Sequence, residues 1–335
     1  MDKYAPSLVV IGASAGGVEA LKEVAAGLPS DLAAAVVVVL HLPPHAESRL
    51  AHILTRVGTL PASQAEDGEP LCAGKVLVAP PDRHLLVEDE HVRLTRGPRE
   101  NGVRPSVDVL FRSAALAYGP RTVAVVLSGA RDDGAVGARA VDQRGGTVLV
   151  QDPRDAVFAG MPESTLALDH PDRVLPLAEI APAIVGALDP LPNEDAVRDT
   201  THDEMTLETE FASLDPAALQ RDNPGGEPSP FSCPACGGVL WEVEDGDALR
   251  FRCRVGHAYT ADGVLDAEGN ELERALWTAL RALQERAHLS ERIAGRMRNS
   301  GSERSASRFG NLAQEAREEA DVIRRVLAGR DVPSG

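Results

Sequence analysis

The sequence predicts an α/β protein: a doubly wound, mostly parallel sheet with flanking helices, followed by a small zinc-ribbon-like module and a helical hairpin. Three observations lead to this fold class. Short apolar runs alternate with longer stretches of helical periodicity over residues 1–190, which is the pattern of βαβ units. Three cysteines and a histidine then fall within residues 233–257. Apolar residues at helical spacing among many charges follow over residues 261–330.

The elements of the first segment follow from hydrophobic periodicity. Apolar runs predict strands at Ser7–Ile11, Ala34–Leu40, Lys75–Ala79, Val123–Ser128, Thr147–Gln151 and Arg173–Pro176. Helical spacing predicts helices at Val18–Gly27, Ser48–Val57, Val107–Ala117 and Ala135–Gln143. Alternation around an acidic turn predicts a hairpin at Leu85–Gly97, inserted between the parallel units.

Residues 191–230 differ in composition from the segments on either side. They carry ten acidic residues against two arginines and close with DNPGGEPSP. Such a stretch is typical of a flexible linker. It would separate an α/β domain at residues 1–190 from the cysteine segment at residues 231–260.

The overall charge and hydropathy exclude some partners. The chain has 51 acidic and 34 basic residues, a net charge of -17, so its field repels phosphate backbones and nucleic acid is not expected. No apolar stretch reaches the roughly 20 residues that span a bilayer, and the N-terminal residues do not form a signal peptide. We therefore expect a cytoplasmic protein without membrane insertion.

The most informative stretch is Gly12–Gly17, where an apolar strand passes directly into a helix. Ser14 is expected near the helix N-terminus, where backbone N–H groups and the helix dipole favour a developing negative charge. The stretch also fits the G-x-S-x-G pattern of a nucleophile elbow. Two alternatives are helix capping by Ser14 and a dinucleotide-binding loop, although the dinucleotide fingerprint needs a glycine at position 14.

His41 and an acidic pair follow two further apolar strands. His41 comes directly after AAAVVVVL, and Asp132 and Asp133 follow TVAVVLSGAR. Because the carboxyl ends of parallel strands share one rim, Ser14, His41 and an aspartate are expected to meet there. This composition predicts a Ser-His-Asp triad, in a chain order different from that of α/β-hydrolases. The alternatives are an ordinary loop histidine and helix-capping aspartates.

Six short motifs resemble, in the same order, the catalytic domain of chemotaxis protein-glutamate methylesterases. The motifs are VVIGASAGG, HLPP, APPDRHL, RPSVDVLF, LSGARDDGA and GMPE, within residues 5–190. The resemblance implies a serine carboxylic-ester hydrolase that removes methyl esters from glutamates on the cytoplasmic helices of chemoreceptors and releases methanol. Some members of the family also deamidate receptor glutamines. No cofactor is expected for this catalysis.

The resemblance also implies roles for individual residues. Carried onto this sequence, it makes Ser14 the nucleophile, His41 the general base and Asp133 the orienting carboxylate, with Asp132 outside the triad. Backbone N–H groups near the nucleophile and near Ala130 are expected to hold the oxyanion. The residues expected to line the oxyanion and substrate site are Ala15, Gly16, Ala130, Arg131, Gly160 and Met161.

Three differences from the family pattern concern specificity and control. Gly129-Ala130-Arg131 stands where G-M-G is usual, which puts a bulky cation near the substrate entrance. Ala15 replaces a common threonine and removes one side-chain hydrogen bond. The first predicted strand begins by Ser7, so we expect no receiver domain of the kind that joins the family to a phosphorelay, and no phosphorylation control within the chain.

The cysteine segment has the spacing of a metal site. Cys233 and Cys236 form one C-x-x-C knuckle, and Cys253 and His257 form a second half, C-x-x-x-H. Three thiolates and an imidazole complete a closed tetrahedral site, which predicts structural rather than catalytic zinc. A metal-free pair of knuckles is the alternative. Because about 30 residues bury little core, the metal is expected to supply much of the folding energy.

Two functions of different classes follow from the whole sequence. The first is an active methylesterase whose partners are methylated chemoreceptor helices or another methylated protein. The second is a catalytically altered signalling adaptor that binds a signalling partner through its zinc and helical module. A nucleotide-binding protein that uses the Gly12–Gly17 loop is a third, more distant hypothesis.

Overall fold

The computed structural model describes residues 5–168, 171–188, 202–221, 223–245 and 248–329. The strands are β1 Ser7–Ala13, β2 Ala34–Leu40, β3 Ala62–Gln64, β4 Val76–Val78, β5 His84–Glu88, β6 His91–Thr95, β7 Thr122–Val126, β8 Thr147–Gln151, β9 Arg173–Leu175, β10 Glu227–Ser232, β11 Val239–Asp245, β12 Ala248–Cys253 and β13 Ala258–Thr260. The helices are α1 Gly17–Gly27, α2 Leu50–Val57, α3 Val107–Tyr118, α4 Ala135–Gln143, α5 Gly160–Leu168, α6 Leu177–Ala187, α7 His202–Ser213, α8 Pro216–Leu219, α9 Ala261–Asn299 and α10 Glu303–Ala328.

Seven strands form a parallel sheet in the order β3-β4-β2-β1-β7-β8-β9. The chain moves outward from β1 to β2 and later returns to β7 on the other side of β1, so the strand order reverses at β1. The carboxyl ends of β2, β1 and β7 are therefore neighbours at the topological switch point, where open sheets of this kind bind ligands. The doubly wound parallel fold that the sequence predicts is confirmed.

Both faces of this sheet are covered, which explains the continuous apolar strand sequences. Alternate residues of β1 and β2 point to opposite sides, and each side has its own core. One core includes Leu110 and Phe111 of α3 with Val141 of α4. The other includes Leu21 of α1 and Ile184 of α6. All the residues of β1 and β2 are buried.

The predicted hairpin is present as β5 and β6, joined by a two-residue turn. Asp89 and Glu90 both have positive φ in this turn, 43° and 66°, as a primed hairpin turn requires. The sequence did not predict β3, α5 or α6. β3 has three residues and lies at the edge of the sheet, so it lacks the long apolar run that identified the central strands.

The interpretation of residues 191–230 as a flexible linker does not hold for its described part. Residues 202–221 contain α7 and α8, and residues 227–232 form β10. Helix α7 buries Met205, Phe211 and the acidic Glu208. Its Ala212 carbonyl accepts a 2.5 Å hydrogen bond from Thr95 Oγ1 of β6. Residues 191–201 and residue 222 of this segment lie outside the described residues.

The cysteine segment folds into a four-stranded antiparallel sheet in the order β10-β11-β12-β13. We call residues 227–260 the cysteine module. It belongs to the same compact unit as the parallel sheet, Met1–Val264. Ala258 of β13 pairs with the segment before α3, because Asn101 N–H donates to the Ala258 carbonyl at 2.8 Å.

Leu265–Gly335 form a second compact unit, built from most of α9 and from α10. Its core contains Leu280 of α9 with Ala320 and Leu327 of α10. The predicted helical hairpin is therefore present. Among the residues that the structure describes, no helix combines the length and the apolar composition needed to cross a membrane.

Candidate active site

Ser14 lies directly after β1, on the turn that leads into α1. Its backbone N–H donates to the Ser128 carbonyl at 3.0 Å, and its carbonyl accepts from the Gly17 N–H at 2.9 Å. Gly16 caps α1 in the left-handed region, with φ 74°. These contacts hold Ser14 at the N-terminus of a helix and beside the loop that follows β7, where backbone donors favour negative charge.

The two turns approach each other so closely that one position excludes a side chain. A Cβ added to Gly129 would lie 2.0 Å from Met161 Sδ and 2.9 Å from Ser14 Cβ. Gly129 N–H and carbonyl are also used, because they bond Phe158 and Met161 at 3.0 and 2.9 Å. The loop after β7 is thereby packed against the serine turn.

His41 and Asp133 meet across the same rim. His41 follows β2 directly, and its Nε2 lies 2.7 Å from Asp133 Oδ2. The imidazole is partly buried, with 15% of its side chain exposed, whereas the Asp133 side chain is 3% exposed. The His41 backbone N–H donates to the Ala13 carbonyl at 3.2 Å, so the histidine is attached to the residue before Ser14.

Asp133 is held at the N-terminus of α3. Oδ1 accepts from Ser106 Oγ at 2.8 Å and Asp108 N–H at 3.2 Å, and Oδ2 accepts from Val107 N–H at 2.7 Å. Burial alone would raise the pKa of Asp133. The hydrogen bond and the charge of His41, together with the hydrogen bonds from Val107 and Ser106, instead hold this pKa below its usual value. Asp133 is therefore a stable anion beside the imidazole.

Two further aspartates surround this anion. Burial, and then the charge of Asp133, raise the pKa of Asp108 well above its usual value. Burial also raises the pKa of Asp132, against the hydrogen bond from Thr260 Oγ1. Asp108 and Asp132 therefore accept a proton more readily than Asp133 does.

A pocket of about 180 Å³ opens at these residues. Among the residues predicted from sequence, those lining it are Ser14, His41, Ala130, Arg131, Asp132 and Asp133. Arg131 is exposed and has φ 67°, a backbone conformation that residues other than glycine rarely adopt. This bulky cation therefore stands at the wall of the pocket, within the same loop as Asp133.

The other predicted lining residues lie around the pocket rather than in its wall. Ala15 and Gly16 form the turn after Ser14, and the Ala15 carbonyl accepts from Ser128 Oγ at 2.8 Å. Met161 is fully buried, so it supports the loop after β7 from below. Gly160 is small by necessity, because a Cβ there would lie 2.7 Å from Arg131 N.

The sequence analysis missed the polar residues that hold the triad candidates. Ser106 and Asp108 lie within RPSVDVLF, and their signal was a serine placed directly before an apolar helix. Asn101 and Thr260 also belong to this group, but nothing local marks them. They are 159 residues apart in the chain and meet only in the folded protein.

The four predicted metal ligands come together in the cysteine module. The ligand atoms of Cys233, Cys236, Cys253 and His257 all lie within 4.8 Å of one another. Cys236 Sγ and Cys253 Sγ are 3.7 Å apart, and Cys253 Sγ lies 3.5 Å from His257 Nδ1. Thiolates bound to zinc at about 2.3 Å in a tetrahedron would be about 3.8 Å apart, so the donor set fits this ion.

Comparisons with known proteins concern the part of the chain that contains the parallel sheet. The model of a family described as CheB methylesterase matches residues 9–184. A protein-glutamate methylesterase/protein-glutamine glutaminase of Nocardioides sp. is 44% identical over 185 residues, which cover 54% of this chain and 50% of the relative. A second protein of this name, from Methanosarcina acetivorans, is 39% identical over 194 residues, 55% of this chain and 54% of the relative.

A solved structure is also similar. The crystal structure of the Thermotoga maritima CheB methylesterase catalytic domain aligns with a TM-score of 0.52 and 38% identity, over 54% of this chain and 97% of that domain. The similarity thus covers nearly the whole of that domain. The chain spans about half the length of the curated relatives named above.

Proposed function

The chain belongs to the CheB methylesterase family, and on that premise we propose that it is a serine hydrolase that removes methyl esters from protein glutamates. The observation that carries the proposal is the 2.7 Å contact between His41 Nε2 and Asp133 Oδ2, in the pocket that Ser14 also lines. Catalysis is assigned to the segment up to residue 190, with Ser14 as nucleophile, His41 as general base and Asp133 as orienting carboxylate.

The mechanism follows from the tautomer that Asp133 selects. Because Asp133 accepts the proton on His41 Nε2, the lone pair of Nδ1 is the one that takes the Ser14 hydroxyl proton. Ser14 Oγ then attacks the ester carbonyl, and the proton held on Nδ1 passes to the leaving methoxide as methanol. Water, deprotonated by His41, cleaves the acyl-serine and restores the hydroxyl together with the free glutamate.

The negative charge of the tetrahedral intermediate requires donors beside Ser14. The N–H groups of Ala15, at the N-terminus of α1, and of Ala130, in the loop after β7, are the proposed oxyanion donors. Both belong to turns that contact each other at Gly129, so they are held before substrate arrives. No cofactor takes part in these steps.

The proposed substrates are methylated glutamates on chemoreceptor cytoplasmic helices, and a cytoplasmic location follows from that proposal. The relatives' printed names pair methylesterase with glutaminase. Deamidation of glutamine uses the same acyl-serine chemistry with ammonia as the leaving group. The pocket of about 180 Å³ suits one glutamyl side chain projecting from a protein surface.

Release of methanol from a methylated chemoreceptor cytoplasmic fragment tests this function. We expect release by the wild type, loss with Ser14→Ala and with His41→Ala, and unchanged release with the control Ser300→Ala, at an exposed residue directly after α9. Wild type that neither releases methanol nor reacts at Ser14 with a fluorophosphonate would reject the hydrolase and favour the adaptor. Reaction at Ser14 without methanol release would retain the hydrolase and reject this substrate.

The cysteine module is proposed to bind structural zinc through Cys233, Cys236, Cys253 and His257. Four protein ligands leave no open position, so the ion would supply folding energy and no chemistry at Ser14. Metal analysis should find one zinc per chain, lost with Cys236→Ala and retained with Cys72→Ala, a cysteine outside the cluster. Protein free of metal that keeps its full melting temperature would contradict this assignment.

A further inference from the structure

We propose that Thr260 and Asn101 are positioning residues of the active site, through which the cysteine module holds the loop that carries Asp133. The inference rests on the proposed function, because it gives this loop a catalytic carboxylate. It goes further by linking the folding of a module outside the family match, which ends at residue 184, to the geometry of the triad.

The first link runs from Thr260 to the acid beside Asp133. Thr260 is the last residue of β13, and its Oγ1 donates to Asp132 Oδ2. The same hydroxyl accepts from the Gly263 N–H at 3.0 Å, so the first turn of α9 holds the hydroxyl in place. Asp132 is 6% exposed and precedes Asp133 directly, so this hydrogen bond restrains the loop at the residue next to the triad.

The second link runs through Asn101. Its Oδ1 accepts from the Thr260 N–H at 3.1 Å, and its Nδ2 donates to Asp108 Oδ2 at 3.2 Å. Asp108 Oδ1 in turn accepts from the N–H groups of Gly134 and Gly137, at 2.9 and 2.7 Å. Asn101 thus connects the cysteine module to the residue that follows Asp133.

The two links leave the loop from opposite sides of Asp133 and meet at one residue, Thr260. The Asp132 link precedes the carboxylate and the Gly134 link follows it. Asn101 also lines the pocket and has φ 50°, a left-handed conformation that asparagine tolerates better than most residues. A contact that served only to attach the module would not need to reach both sides of this aspartate.

The position of Thr260 depends on the metal site. His257, a proposed ligand, lies three residues before it, and the Cys253 N–H donates to the His257 carbonyl at 2.9 Å. β13 pairs with β12 on one side, while Asn101 N–H bonds its Ala258 carbonyl on the other. Without a cation among three thiols and an imidazole, the short β13 would lose the anchor at its start.

Buried charges keep the module on the catalytic segment. Glu208 of α7 bonds Arg250 and Arg252 of β12 at 2.7 and 2.6 Å and pairs with Arg112 of α3 at 2.9 Å. Arg112 also donates to Glu100 at 2.7 Å, next to Asn101. The network brings the module to the active site, and Thr260 and Asn101 make the contacts that reach the loop.

Full-length, zinc-loaded protein with Thr260→Val tests the proposal, because valine keeps the shape and removes the hydroxyl. We expect kcat to fall about tenfold with KM within about twofold, since the variant loses one hydrogen bond to the Asp132 carboxyl group, and this bond acts on catalysis only through the position of Asp133. Amide exchange of residues 128–137 should become faster. Thr260→Ser should restore both measurements, and zinc content should be equal in all three proteins.

Two further comparisons separate positioning from general stability. Asn101→Gly tolerates the positive φ and removes the second link, so it should also speed exchange of residues 128–137. Chelation of zinc should reproduce this faster exchange in the wild type and add less to it in Thr260→Val, because that variant already lacks one of the two links that depend on the module.

The outcomes decide the two proposals separately. If Thr260→Val has the same amide exchange and the same kcat as the wild type, the positioning role is overturned. It is also overturned if chelation melts the module but leaves the amide exchange of residues 128–137 unchanged. Absence of methanol release by the wild type would count against the proposed function alone, because amide exchange still reports whether Thr260 holds the loop. A fall in kcat that Thr260→Ser does not rescue would also reject the role of the hydroxyl.

Discussion

Asp133 shows how single residues create this site. Its two oxygens accept four hydrogen bonds, one from His41 and three from residues at the start of α3. The three donors at the start of α3 therefore hold the carboxylate in place independently of the imidazole. The carboxylate has little freedom to turn away, as the orienting role proposed for it requires.

Asp133→Asn should lower kcat for methanol release by about 10⁴-fold, because an amide presents the wrong hydrogen-bonding groups to His41 and permits the wrong tautomer. Steady-state methanol release with excess methylated receptor fragment measures this loss. Asp31→Asn, in an exposed turn, is the control and should leave kcat unchanged. A loss of less than about tenfold would show that Asp133 does not orient the base.

The lowered pKa of Asp133 also predicts a pH dependence of stability. The folded state favours the ionised form, so its contribution to the free energy of unfolding is complete above the unfolded pKa of about 3.9 and disappears as pH falls through the folded pKa. The gap in unfolding free energy between wild type and Asp133→Asn should therefore be largest above about pH 4 and narrow in more acidic urea titrations. A gap that widens on acidification would contradict this sign.

Gly129→Ala should impair both stability and catalysis, because the added Cβ would lie 2.0 Å from Met161 Sδ and 2.9 Å from Ser14 Cβ. We expect a loss of about 1–3 kcal/mol in unfolding free energy, as for an overpacked site, and a lower kcat. Gly310→Ala is the matched control, since its Cβ meets nothing within 4 Å in α10. Equal stability of the two variants would show that the turns adapt to a methyl group.

At the scale of elements, the segment between the two sheets behaves as part of the core. Helix α7 places Glu208 among three arginines that come from α3 and β12. Burial alone would raise the pKa of Glu208, but the charges of Arg250, Arg112 and Arg252 hold it far below its usual value. One acidic side chain thus joins three elements that are far apart in the sequence.

Glu208→Gln should destabilise the protein by about 3–5 kcal/mol at neutral pH, because it leaves buried guanidinium groups without their counter-charge. The ionised form stabilises the fold above the unfolded pKa of about 4.3, and this contribution is lost as pH falls toward the folded value. Urea unfolding should therefore show the difference at pH 7. Glu210→Gln, on the same helix, is the control, and an equally large loss there would reject the special role of Glu208.

At the scale of the whole molecule, the chain divides into two compact units with separate cores. The first unit contains the parallel sheet, α7 and the cysteine module, and the second is the helical hairpin. Because each unit has its own core, a core mutation is expected to lower the stability of the unit in which it lies.

Leu280→Ala should lower the stability of the helical unit by about 2–5 kcal/mol, because Leu280 is buried against Ala320 and Leu327. The far-ultraviolet circular dichroism transition of the helices should shift to lower temperature, while the rate of Ser14 labelling by a fluorophosphonate stays unchanged. Leu289→Ala, at a side chain 59% exposed on the same helix, is the control. Slower labelling in Leu280→Ala alone would show that the helical unit influences the catalytic one.

Local patterns in the sequence sufficed for the central strands and for the residues that end them. β1, β2 and β7 are buried on both faces, so their apolar runs identify them without any knowledge of neighbours. Ser14 and His41 follow the first two runs directly, and the Asp132–Asp133 pair follows the third after a short loop. Helix α7 was missed because an acidic composition is typical of a solvent-exposed segment. Its Glu208 is nevertheless buried, because arginines from distant elements pair with it.

The sequence by itself determined the parallel sheet, the residues at its rim and the four candidate metal ligands, because each of these depends on short-range pattern and spacing. Only the tertiary structure decided that Ser106 bonds Asp133, that Asn101 and Thr260 bond its neighbours Asp108 and Asp132, and that the cysteine module lies against the loop after β7. These contacts join residues up to 159 positions apart. Each of these contacts depends on how distant elements pack together, so no local sequence pattern records it.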